Sequence, residues 1–238
     1  APARGAKMSH YFKTPADQTG RHHVRATIWG RELDLVSAPG VFSAHRLDTG
    51  TQVLFRAATP PTVDSRRLLD LGCGLGVLAY YLREKGRTFP IHSFDYDSHK
   101  IDNANNAIPV SGFGDLSFAF HDARNGLPDH SGNVTILDIL QFFTPDQQET
   151  LLSQAARNTA SGGKLIIRSG LRDTSWRYRV TVAGDLLAKV TSWMKAAPTH
   201  YPSGDDFSRI LSPFGNVSIT PLWGGTPFNN HLIVLQRK

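Results

Sequence analysis

At 238 residues, 40% hydrophobic and 19% charged, the chain has the make-up of a folded α/β protein and not of a disordered or fibrous one. No apolar run approaches the ~20 residues that a membrane-crossing helix needs, and a lone cysteine, Cys73, excludes an internal disulfide and suits a reducing, cytoplasmic setting. The net charge of +6 lies in residues 1–60 and 171–238, on either side of a slightly acidic middle; such flanks suit a solvated surface, or contact with RNA or another anionic partner.

The first residues carry basic side chains with no apolar run behind them, so they do not read as a secretory signal. Met8 reads as a natural start, and residues 1–7 carry no weight in the fold reading. Residues 1–60 are expected to form a lead-in that packs on a catalytic domain spanning 61–238. From there short apolar runs alternate with amphipathic stretches, the pattern of a parallel sheet covered by helices. Strands are predicted at 67–71, 91–94, 116–120, 134–140 and 164–168, with four intervening helical stretches. These include 77–85, closed by Gly86, and 98–107. A further helix opens at Thr144, where Pro145 and Gln147 complete a capping box. Right-handed crossovers then make the sheet doubly wound.

Beyond Arg168 the alternation changes. Val180, Ala183, Leu186, Leu187, Val190, Trp193 and Met194 fall at helical spacing and predict an amphipathic helix over 177–195 with a core-facing stripe. A short helix at 205–211 follows, then strands at 217–222 and 231–236 joined by Trp223-Gly224-Gly225-Thr226-Pro227-Phe228-Asn229-Asn230. A loop of that size favours a hairpin, so the last strand should run antiparallel to the rest. The stretch 171–204 is long enough to serve as a lid, with Trp176, Tyr178, Trp193 and Tyr201 available to line it.

The most informative residues are Asp70-Leu71-Gly72-Cys73-Gly74-Leu75-Gly76. Alternate glycines after a strand let the backbone turn sharply and meet a ligand without an intervening Cβ. The helix that follows offers free amides to an anionic group. Gly74-Leu75-Gly76-Val77-Leu78-Ala79 also matches a dinucleotide fingerprint. In the register that starts at Gly72, however, the third glycine is misplaced for a dinucleotide. Asp70 would also repel a pyrophosphate while pairing with the ammonium of a methionine moiety. S-adenosylmethionine is therefore the favoured cofactor. Gly72, Cys73, Gly74 and Gly76 form its turn, with Cys73 contributing a backbone amide. Asp95 ends the second strand and offers two acceptor oxygens to ribose hydroxyls, with Asp97 as the competing acid. Tyr96 can lie against the adenine. After the third strand, Asp122 and Ala123 stand where the adenine amine needs an acceptor.

Together, Asp70 to Gly76, Asp95, Asp122 and the 134–163 block resemble the class I (Rossmann-like) S-adenosylmethionine-dependent methyltransferases. The resemblance implies a seven-stranded sheet, mostly parallel with the last strand antiparallel, and a cofactor across the ends of strands one to four. Pro39 to Ser43 and Leu47 to Thr51 look like the lead-in of bacterial ribosomal RNA guanine-N2 methyltransferases, which makes Phe42 and Thr51 candidate substrate contacts. Those enzymes carry an Asn-Pro-Pro-Phe type tetrapeptide after the fourth strand, whereas this chain has Leu140-Gln141-Phe142-Phe143. The fourth-strand block and the terminal loop look instead like bacterial methyltransferases of small-molecule or lipid-like biosynthesis. The expected reaction is O- or C-methylation of a small organic or lipid-like acceptor, with methylation of an RNA base as the alternative and a non-catalytic cofactor-binding module as a third. Asp138 should face the cofactor sulfonium or the acceptor, and Gln141 can orient a hydroxyl or ring nitrogen. Phe142, Trp176, Thr226 and Asn229 are further acceptor-side candidates, and His45, His121 and His200 are candidate bases. The ten histidines show no ligand spacing, so no metal is expected.

Overall fold

A computed structural model describes residues 22–28, 31–37, 66–84, 86–107, 115–190, 198 and 200–238. Strand β1 (His22–Ile28) pairs antiparallel with β2 (Arg31–Ser37), from His22↔Ser37 to Ile28↔Arg31. The main sheet begins with β3 (Leu68–Leu71), whose four residues are all buried, as expected of a central parallel strand covered on both faces. It continues with β4 (Ile91–Asp95), β5 (Leu116–Phe120), β6 (Asn133–Leu137) and β7 (Lys164–Gly170), and closes with β8 (Gly215–Pro221) and β9 (Asn230–Arg237). Helices α1 (Val77–Glu84), α2 (Ser98–Ala107), α3 (Pro145–Asn158), α4 (Trp176–Val190) and α5 (Gly204–Leu211) supply the cover. Strand β2 lies against α2.

The seven strands lie in the order β5-β4-β3-β6-β7-β9-β8, and β9 runs antiparallel to both of its neighbours. The hairpin expectation therefore holds, and burial explains why the last strand takes the inner place. Leu232, Ile233 and Leu235 of β9 are buried, which suits an interior strand, whereas β8 beyond Gly215 is only half-buried or exposed and forms the edge. Alternation along β3 divides the core between the two faces. Leu69 and Leu71 pack with Leu151 and Leu152 of α3 and with Phe207 and Leu211 of α5. Leu68 turns to the opposite face, with Ala79 and Leu82 of α1 and Ile101 and Ala104 of α2.

Three expectations need correction. Between β5 and β6 there is no α-helix, only a 3-10 turn at Ala123–Asn125, because Gly126 leaves helical space at φ +95° and Pro128 follows at once. Strand β6 stops at Leu137 and not at residue 140: Asp138 takes φ +56°, the only positive φ of a non-glycine among the described residues, and Leu140–Phe142 coil into a 3-10 turn. In α4 the apolar stripe is not core, since Leu186 is 58% and Leu187 45% exposed. The helix instead turns Tyr178, Thr181 and Asp185 inward, as the bonds described below show. Trp193, Met194 and the remainder of 191–197, part of the expected lid, lie outside the described residues.

Candidate cofactor and acceptor site

In an open α/β sheet, ligands settle outside the carboxyl ends of the strands where the strand order reverses. Here that point falls between β3 and β6, since β4 and β5 extend to one side and β7 onward to the other. The sequence candidates gather at this edge: Asp70 in β3, the glycine turn behind it, Asp95 and Tyr96 at the end of β4, Asp122 and Ala123 after β5, and Asp138 after β6.

Asp70 is fully buried. Its Oδ1 accepts a 2.7 Å hydrogen bond from the Thr135 hydroxyl, which stands opposite it in register on β6. Its Oδ2 makes no hydrogen bond within normal geometry among the described residues, although the buried hydroxyl of Ser93, opposite it on β4, lies near enough to lower the carboxyl's pKa. Burial pushes the Asp70 carboxyl up to about 6, and the Asp95 charge adds to the rise. A buried carboxylate with an unused oxygen is costly unless a cation or donor completes it.

The glycine turn needs its glycines for two different reasons. A Cβ at Gly72, φ +76°, would come within 2.4 Å of Ile139 Cγ2, so the turn packs tightly under the end of β6. A Cβ at Gly74, φ +56°, would meet nothing within 4 Å, so here the turn opens onto free space. The turn's amides are largely spent inside the protein. Gly72 and Cys73 both donate to the Phe94 carbonyl at 2.9 and 3.0 Å, and Gly74 donates to Asp95 Oδ2 at 3.0 Å. The Cys73 amide is therefore not offered to a ligand, against expectation, and burial pushes its thiol well up, which leaves it inert.

Asp95 is buried, with Oδ1 accepting from the Asp97 amide at 2.9 Å and Oδ2 from Gly74. Each oxygen keeps a second lone pair for a ribose hydroxyl. Asp97, the competing acid, caps α2 by accepting from the His99 amide at 3.1 Å. Tyr96 is 43% exposed beside this edge, free to lie along a planar ring. Asp122 is more committed than expected. It accepts from the Arg124 amide and grips the Arg124 guanidinium with both oxygens, which holds its carboxyl below the usual range.

Beyond the end of β6, Asp138 forms an ion pair with Arg168 of β7, a largely buried guanidinium that was not among the sequence candidates. The signal was present: an arginine inside the run Lys164-Leu165-Ile166-Ile167-Arg168 is a buried cation that must find an anion. Gln141 folds back onto the Asp138 carbonyl at 3.0 Å. Phe142 packs against the core beneath it, and Trp176 is 59% exposed at the start of α4. Thr226 makes a turn, its hydroxyl and amide both donating to the Trp223 carbonyl at 2.7 Å. Asn229 is buried with its donors spent on Leu171, Asp173 and Thr181, and so ties the terminal loop to β7 and α4. Among the candidate bases, the His121 ring meets the Gly126 carbonyl at 2.8 Å, and the His200 backbone amide donates to Gln141. His45, Phe42 and Thr51 lie outside the described residues.

Residues 32–170 match the family model described as Methyltransferase small domain. Ribosomal RNA small subunit methyltransferase C of Psychromonas ingrahamii is 31% identical over 146 residues, which cover 57% of this chain and 39% of that protein. The protein of the same name from Citrobacter koseri is 30% identical over 153 residues, 58% of this chain and 42% of its own. The chain thus spans about two fifths of the length of these curated relatives. Among solved structures, the magnesium protoporphyrin IX methyltransferase of Synechocystis, with bound SAH, is similar at a TM-score of 0.57 and 17% identity, over 80% of this chain and 82% of that one. An O-methyltransferase family 2 protein of Planctomyces limnophilus in complex with apigenin gives 0.55 and 18%, over 73% and 51%. At these identities the likeness is one of fold.

Proposed function

The chain belongs to the methyltransferase small domain family and has the fold of the class I S-adenosylmethionine-dependent methyltransferases, and from that premise we propose that it methylates a small organic or lipid-like molecule, on oxygen or on carbon. S-adenosylmethionine, the cofactor of this family, supplies a methyl group on a sulfonium that is already a good leaving group. In this reading Asp70 Oδ2 takes the ammonium, Asp95 the ribose hydroxyls, and Tyr96 with Ala123 and Asp122 the adenine. The chain's remaining task is to align a nucleophile with the methyl and keep water out.

The observation that carries the acceptor reading is the end of β6. Asp138 in a left-handed conformation, ion-paired with Arg168, is followed by Ile139, Leu140 and Gln141 entering a 3-10 turn. An Asn-Pro-Pro-Phe arrangement would clamp a planar base amine at that point; an anion neutralised by arginine offers it no comparable grip. Tyr178 and Tyr201 meet edge to face at 5.7 Å, and the neighbouring His200 amide is bonded to the Gln141 carbonyl, so aromatic rings stand near this turn, which suits an apolar acceptor. Helix α4 then serves as the cover of the acceptor side.

A second reading, methylation of an RNA base, draws on the relatives named for ribosomal RNA and on an exposed stack, in which the Arg177 guanidinium lies 4.7 Å from the Trp176 ring centroid and 4.5 Å from that of Trp223. The test is release of S-adenosylhomocysteine from S-adenosylmethionine with two acceptor sources. We expect release with an organic extract of bacterial cells and none with stripped ribosomal subunits. The reverse result, together with strongly salt-dependent RNA binding, would replace the first reading by the second.

A further inference from the structure

Within the reading of a hydroxyl acceptor, on which this inference rests, we propose that Asp185 of α4 is the general base of methyl transfer and that Tyr201 positions it. Four observations converge on the pair. Tyr178, Thr181 and Asp185 recur at helical spacing, so one face of α4 carries all three. Thr181 is buried on that face and accepts from the Asn229 amide at 2.8 Å, which fixes the helix over the ends of β7 and β9. The Tyr201 hydroxyl donates to Asp185 Oδ2 at 2.5 Å, while Oδ1 takes no hydrogen bond among the described residues. A Cβ at Gly170, the last residue of β7, would lie 3.4 Å from the Tyr201 ring, so the pair sits at the same edge as Asp138.

Tyr201 is held from both sides, as a positioning residue must be. The His200 amide donates to the Gln141 carbonyl, and the His200 carbonyl accepts from Gln148 Nε2 at 2.9 Å. On the other side, Arg172 donates its amide to the Pro202 carbonyl at 2.9 Å and its Nε to the Tyr201 carbonyl at 3.3 Å. The phenol itself is buried and shifted far up, so it stays protonated and donates. Asp138, the other carboxylate of this edge, is committed to a guanidinium; Asp185 is hydrogen-bonded to a neutral phenol and remains the better proton acceptor. Burial raises the Asp185 carboxyl, the Tyr201 hydrogen bond partly offsets this and the Asp138 charge adds to the rise; the net direction is the one that favours a base.

In the step itself the acceptor oxygen bonds to the methyl carbon while the carbon–sulfur bond breaks, its electron pair staying on sulfur. The hydroxyl proton passes to Asp185 Oδ1 and then to solvent. The products are a methyl ether, S-adenosylhomocysteine and one proton.

The test compares two phenols at about pH 8, where 4-methylphenol keeps its proton and 4-nitrophenol is largely ionised. With 4-methylphenol, Asp185→Asn should lower kcat by about 100-fold or more and Tyr201→Phe by about 10-fold. With 4-nitrophenol, which needs no base, both variants should stay within about threefold of the parent, and affinity for S-adenosylhomocysteine should not move. Equal losses on both phenols, with affinity intact, overturn the base while leaving the hydroxyl reading standing. Failure of the unsubstituted protein to methylate either phenol overturns the hydroxyl reading and the base with it.

Discussion

Gly72 and Gly74 share a left-handed backbone and differ in what surrounds them, and that difference separates folding from binding. Alanine at either position pays for the left-handed conformation, roughly 1–2 kcal/mol. At Gly72 the new methyl also strikes Ile139, so the loss of stability should be larger and the protein should melt well below the Gly74→Ala variant. At Gly74 the methyl points into open space, so the fold should survive while affinity for S-adenosylhomocysteine falls by about 10-fold or more. Thermal melts paired with calorimetry check both outcomes. Asp70 makes a complementary case through pH. Its folded carboxyl stands near 6 against 3.8 in the open chain, so ionisation withdraws stability. The penalty is absent below about pH 4, grows between about pH 4 and 6, and is constant above, on the order of 3 kcal/mol. Without ligand, Asp70→Asn should therefore melt higher than the parent at neutral pH and alike at pH 4, yet bind S-adenosylhomocysteine poorly. A neutral-pH melt no higher than the parent's would show that the carboxylate is not destabilising the fold.

Elements whose pattern is set locally were legible in the sequence. The capping box at Thr144 and Gln147 is present in both directions and opens α3 where expected, because its partners are three residues apart. The apolar runs of β3 to β7, and the loop length before β9, depend on burial and chain reach in the same way. What was not legible depends on distant partners. The end of β6 is set by the left-handed Asp138 and its pairing with Arg168, 30 residues away. In α4 periodicity gave the helix but the wrong inward face. Thr181 and Asp185 are drawn inward by Asn229 and Tyr201, contacts 48 and 16 residues away, and the leucines are left outside. That inversion has a measurable consequence in urea. Leu186→Lys should change stability by less than about 0.5 kcal/mol. Thr181→Val, which strips the acceptor from the buried Asn229 amide, should cost about 1–3 kcal/mol. If Leu186→Lys proved the more damaging of the two, the stripe would be core after all.

Across the whole molecule, sheet order points to one edge. The reversal of strand order beside β3 brings residues from four strand ends to one edge, so a glycine turn, an orphaned carboxylate oxygen and a second buried acid meet although they are spread over 26 residues of chain, from Asp70 to Asp95. That Asp70, the glycine turn and Asp95 share one edge was legible because they lie on strand ends and a turn with fixed geometry. The pairing of Asp138 with Arg168 and of Asp185 with Tyr201 was not, since each joins two segments distant in the chain. The most direct measurement is calorimetric titration of the protein and of Asp95→Ala with S-adenosylhomocysteine, repeated in the presence of NADH. This binding mode requires one site in the parent protein, an affinity at least about 10-fold weaker in the variant, and no competition from NADH. Unchanged affinity in Asp95→Ala, or displacement of the nucleoside by NADH, would contradict it.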